Sequence, residues 1–70
     1  MIEIAKLTEG DKSREVCYTT HGVREYGHIT SWNKHFVFVR YHAKVIAGKS
    51  MPRYGQTSEA TRPEDLEFCR

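Results

Sequence analysis

Short runs of β-branched and aromatic residues, interrupted by polar or glycine-containing stretches, make up most of the chain. Glu15-Val-Cys-Tyr-Thr-Thr20 is one such run, ended by His21-Gly22. Tyr26-Gly-His-Ile-Thr-Ser-Trp32 and Phe36-Val-Phe-Val-Arg-Tyr-His42 follow, separated by the polar Asn33-Lys34-His35. Runs this short and this closely spaced predict the strands of a small barrel or sandwich. A further strand is expected over residues 56–61. Residues 43–55, AKVIAGKSMPRYG, carry three bases, no acid, two glycines and a proline that would break a central strand, so they predict a long surface loop. Pro63 needs no N–H at the first position of a helix, and Glu64 and Asp65 suit the positive end of its dipole. One helical turn is therefore expected at 63–66, with Leu66 and Phe68 turned inward to plug the end of the sheet.

The stretch 31–41, SWNKHFVFVRY, predicts a β-hairpin, and its register decides which side chains are buried. A two-residue loop at Asn33-Lys34 needs positive φ at both positions, for which Lys34 is a poor choice. A three-residue loop, Asn33 to His35, with a bulge pairs Trp32 with Phe36, Thr30 with Phe38, Ile29 with Val39 and Gly27 with Tyr41. Gly27, Ile29, Ser31, Val37, Val39 and Tyr41 then share a core face. The opposite face collects His28, Thr30, Trp32, Phe36, Phe38 and Arg40, a mixed aromatic and basic surface. A bare patch of that kind is unusual on a monomer. Either the chain covers it, with Ile2, Ile4 and Leu7 or with Val45, Ile46 and Met51, or a partner does.

Size and charge narrow the reading. Seventy residues make one domain, and a chain this short buries only about 60% of its unfolded surface. The net charge of +2 is unevenly spread: residues 1–15 carry −1, residues 16–57 carry +5 and residues 58–70 carry −2. The basic middle, with Lys44, Lys49, Arg53 and Tyr54 in its loop, suits nucleic-acid phosphates or an acidic protein face. No apolar run approaches the ~18 residues of a membrane helix, and MIEIAKLTEG lacks the pattern of a signal peptide, so a cytoplasmic location is expected.

Candidate chemistry is sparse. Cys17 and Cys69 are expected to be free thiols in a reducing compartment. The histidines fall at 21, 28, 35 and 42, and because steps of seven alternate faces on a strand they are not expected to converge on a metal. No cofactor is implied. There is no nucleophile elbow, phosphate-cradling glycine loop or HExxH, and a barrel of this size is expected to lack room for a pocket of the ~300 Å³ that ligands need. The chain does not read as an enzyme.

Three segments carry a resemblance: Lys12-x-x-Glu15-Val16-x-Tyr18, the stretch from Gly27 and Ile29 through Ser-Trp-Asn-x-x-Phe-Val-Phe-Val-x-Tyr41, and Glu59-Ala-Thr-Arg-Pro-Glu-Asp-Leu-x-Phe68. Over about residues 9–68 the chain resembles a group of small phage and prophage proteins with an SH3-like, Tudor- or KOW-like barrel. The resemblance implies an all-β, SH3-like barrel of about five short strands with a C-terminal helical turn. Residues 1–70 form a single domain, 1–8 being an N-terminal extension and 43–55 an added basic loop. It implies a bacterial host cytoplasm and supplies no catalytic motif. The expected function is a non-catalytic module that docks on a host protein or complex, with inhibition of that target as one outcome and His28, Trp32, Phe36, Phe38 and Arg40 as its binding face. The alternative is nucleic-acid binding, those aromatics stacking bases while Arg40, Lys44, Lys49 and Arg53 meet phosphates. A homodimer through the N-terminal segment or the aromatic face is a third arrangement.

Overall fold

The computed structural model describes residues 1–53 and 57–69. The strands are β1 (Glu15–Thr20), β2 (Val23–Trp32), β3 (Val37–Ile46), β4 (Lys49–Pro52), β5 (Glu59–Thr61) and β6 (Leu66–Phe68), with 3-10 turns at Ile4–Lys6, Glu9–Asp11 and Pro63–Asp65. The chain is all-β, as the alternation predicts. All pairings are antiparallel and form an open sheet in the order β4-β3-β2-β1-β6. β5 pairs with the first part of β3, Val37 to Val39, while β4 pairs with its last part, Ala43 to Ile46.

Two tight turns build the hairpins. His21 and Gly22 have φ of 45° and 80°, and Ala47 and Gly48 have φ of 50° and 78°. Both central residues of each loop are left-handed, which matches the twist of the flanking strands. The second turn corrects the expectation of a loop over 43–55: β3 runs on to Ile46 and returns as β4. Pro52 is tolerated because it ends an edge strand, where no ladder partner needs its N–H.

The register of β2 on β3 has two bulges. Ile29 pairs with Val39 and Ser31 with Phe38, leaving Thr30 as the extra residue; Gly27 pairs with Tyr41 and Tyr26 with Ala43, leaving His42 as the other. Trp32 consequently pairs with Val37 rather than Phe36, and the loop closes through Asn33, whose N–H donates to Phe36 O while its side-chain oxygen accepts from the N–H groups of His35 and Phe36. Gly27 has a second role. A Cβ there would lie 2.5 Å from the Arg40 carbonyl oxygen, so only glycine allows this approach of the strands.

Ile2, Val16, Ile29, Val37, Val39, Tyr41 and Leu66 form the core, none more than 5% exposed. The expected core residues on β2 and β3 are there, except that Ser31 is exposed because the Thr30 bulge reverses its side of the sheet. The N-terminal extension belongs to this same core. Ile2 is buried and its N–H donates to Pro63 O, and Ile4 and Leu7 pack against the cluster. At the other end, Pro63–Asp65 forms the expected turn, Leu66 is buried and Phe68 packs against the core. Leu66–Phe68 is more than a plug: it is a strand paired to β1.

Candidate functional site

The residues expected to share one aromatic face do not do so. Alternation places Phe38 and Arg40 on the face away from the core, and His28 joins them as the cross-strand partner of Arg40. Trp32, opposite the buried Val37, falls on the core side and packs against the core cluster; the Lys12 ammonium lies 5.9 Å from its ring centre. Phe36 sits in the hairpin loop, 40% exposed, beside His35. The physical cause is the Thr30 bulge, which inserts one residue and so exchanges the faces beyond it. Thr30 is held in place by its hydroxyl, which donates to Phe38 O and bonds the Ser58 hydroxyl at 2.6 Å.

The basic segment also divides. Arg53 faces inward, donating to Glu25 at 2.6 Å and Glu59 at 2.8 Å, with its guanidinium carbon 5.4 Å from the centre of the Tyr41 ring. It ties the end of β4 to β2 and β5 and is not a free phosphate contact. Tyr54 lies outside the described residues. Lys44 and Lys49 remain on the β3–β4 arm, where Lys44 pairs with Met51 and Ile46 with Lys49. These four side chains share one face in a checkerboard of two apolar and two basic groups. β2 adds Val23 opposite Ile46 and Glu25 opposite Lys44. Ile46 is 36% exposed and Met51 43%.

A cleft of about 330 Å³ lies beside this arm, lined by Tyr18, Glu25, Tyr41, Glu59, Arg62 and Asp65 among others. The expectation that so small a chain lacks room for such a pocket is not met, because β5 and the Pro63 turn build a wall over the end of the sheet. Burial pushes the Tyr41 phenol up to about 12; its bond to the Thr61 hydroxyl, 2.7 Å, opposes the rise, and the Glu25 and Glu59 carboxylates add to it. Tyr18 meets Tyr41 edge to face at 6.3 Å.

On the outer face Glu15, His28 and His42 come together. Glu15 and His28 are cross-strand partners, the His28 and His42 rings stack with centres 4.9 Å apart, and His42 Nε2 lies 3.3 Å from Glu15 Oε2. The expectation that the histidines do not converge is corrected here for two of the four, His28 and His42. A step of fourteen keeps the same side of the sheet, and these two positions lie almost symmetrically about the hairpin loop, which is the signal that spacing by sevens conceals. Cys17 and Cys69 are free thiols, and burial, reinforced by Glu15 and Cys17, pushes the Cys69 thiol up.

Among the described residues no helix is long and apolar enough to cross a membrane. No protein-family model, curated protein or solved structure matches the chain.

Proposed function

We propose that the protein is a non-catalytic protein-binding module that docks through the β3–β4 arm, with Ile46 and Met51 as anchors and Lys44 and Lys49 as flanking charges for an acidic-rimmed partner. The observation that carries this reading is the checkerboard: two exposed apolar side chains interleaved with two lysines that form no ion pair with a described residue. Apolar anchors supply affinity and surrounding charges steer the approach. The resemblance to small phage proteins read in about residues 9–68 favours a host protein or complex as the partner and its inhibition as the consequence.

The arm is carried by an SH3-like roll. Support comes from chain length: Thr61 and Leu66 lie on opposite outer strands of the path β5-β3-β2-β1-β6. Five residue steps reach at most about 18 Å, less with a 3-10 turn among them. Four strand spacings across a flat sheet are about 19 Å. A curled sheet brings its two outer strands within reach of this connection.

The cleft supports a non-catalytic reading, since Arg53 engages both Glu25 and Glu59 and the Tyr41 phenol is held far above neutral pH. Nucleic acid is the weaker partner because Arg53 is engaged by carboxylates and Trp32 packs on the core. Capture from nuclease-treated bacterial lysate tests the reading. A protein retained by the wild-type chain should be lost with Ile46→Glu/Met51→Glu and kept with Phe36→Ser. Capture that disappears with nuclease, or is indifferent to the arm, refutes it.

A further inference from the structure

We infer that Glu15, His28 and His42 form a binding site for a late first-row divalent metal ion, with zinc as the reference case. One ligand atom from each of the three residues lies within 4.8 Å of the other two. They come from β1, β2 and β3, so the backbone beneath them is the most extensively paired part of the sheet. Glu15 and His28 are fixed by direct pairing. His42 is the extra residue of the bulge, between Tyr41 opposite Gly27 and Ala43 opposite Tyr26, and its ring lies over His28 at an interplanar angle of 29°. Bulges commonly re-aim a side chain beside a functional site.

The spacing suits the ion. Ligands about 2.0–2.1 Å from a tetrahedral zinc stand about 3.3 Å from one another, and His42 Nε2 and Glu15 Oε2 already have that separation, 3.3 Å. All three side chains are exposed, so small rotations of the imidazoles close the remaining gap without moving the strands. The donor set also selects the metal class. Two imidazoles with one carboxylate favour zinc, copper, nickel or cobalt, whereas calcium and magnesium take oxygen ligands. Three protein ligands leave the fourth position to water, as in solvent-open zinc sites. Arg40, the cross-strand partner of His28, is a positive neighbour that limits the affinity.

An ordinary imidazole–carboxylate surface contact would show the same His42 to Glu15 distance but would not bind zinc, and calorimetry separates the two. The full chain, freed of metal with a chelator and kept reduced, is titrated with zinc chloride near neutral pH, as wild type and with Cys17→Ser/Cys69→Ser. One ion per chain is expected in both. His28→Ala, His42→Ala and Glu15→Gln should each weaken binding at least about tenfold, with circular dichroism unchanged because the three side chains are exposed, and His35→Ala should have no effect. Absence of binding, binding lost with the two serines, or binding indifferent to all three ligand substitutions overturns the inference.

Discussion

Trp32 stands opposite Val37, on the side of the sheet that carries the core, because Thr30 is bulged out between Ile29 and Ser31. The indole therefore serves stability. Trp32→Ala should lower the free energy of unfolding by about 1–3 kcal/mol, the scale of burying part of a large apolar side chain, while leaving capture of a partner intact. Trp32 is the only tryptophan, so its fluorescence reports directly. Emission already at the unfolded wavelength in the native protein would place the ring in solvent and contradict the register.

Neighbouring positions on β3 should respond in opposite ways. Val39→Asp puts an unpaired charge into the core and should unfold the domain, whereas Arg40→Ala alters an exposed position and should leave it folded. Gly27→Ala should cost about 1–3 kcal/mol or more through overpacking, since its methyl would meet the Arg40 backbone at 2.5 Å. Equal circular dichroism for Val39→Asp and wild type would show that the inward face is misassigned.

Arg53 links two acids that would otherwise face each other across the cleft. Arg53→Ala should destabilise by about 1–2 kcal/mol, above the range of an isolated exposed pair because one guanidinium serves both carboxylates. Adding Glu25→Gln to it should restore part of the loss, measured by urea denaturation. A neutral Arg53→Ala would mean that the tether carries no stability.

Tyr41 makes stability fall at alkaline pH. Its phenol ionises near 12 in the folded chain against 10.0 ordinarily, because burial disfavours the charged form. Above pH 10 the unfolded chain has released a proton that the folded chain still holds, so stability is fully present below that pH and declines as the pH rises toward 12. Tyr41→Phe should flatten this decline. Ultraviolet titration should show one phenol ionising last in the wild type and missing in the variant; identical profiles would contradict the burial of Tyr41.

The alternation of β1 and the central parts of β2 and β3 is legible in the sequence because Val16 and Tyr18, Gly27 and Ile29, and Val37, Val39 and Tyr41 recur at every second residue of their strands. The turn at Pro63 was legible for the same local reason, a residue type with one favoured position. The bulges at Thr30 and His42 were not. A bulge moves the register by one without any compositional mark, so the observed face of Trp32 is the reverse of the expected one; the meeting of His28 with His42 is a matter of parity, a step of fourteen that spacing by sevens conceals. β4 was missed because Lys49-Ser-Met-Pro52 is a half-paired edge with low strand propensity. Arg53 could not be separated from Lys44 and Lys49 by charge alone, since its acids, Glu25 and Glu59, lie 28 and 6 residues away in the chain.

Docking through the β3–β4 arm is tested most directly by site-specific photo-crosslinking in bacterial cells, with the photoreactive residue placed in turn at positions 51, 46, 38 and 36. The account predicts one discrete protein adduct from positions 51 and 46, resistant to nuclease, and none from 38 or 36. Adducts from 38 and 36 but not from 51 and 46, or adducts that nuclease removes, would contradict it.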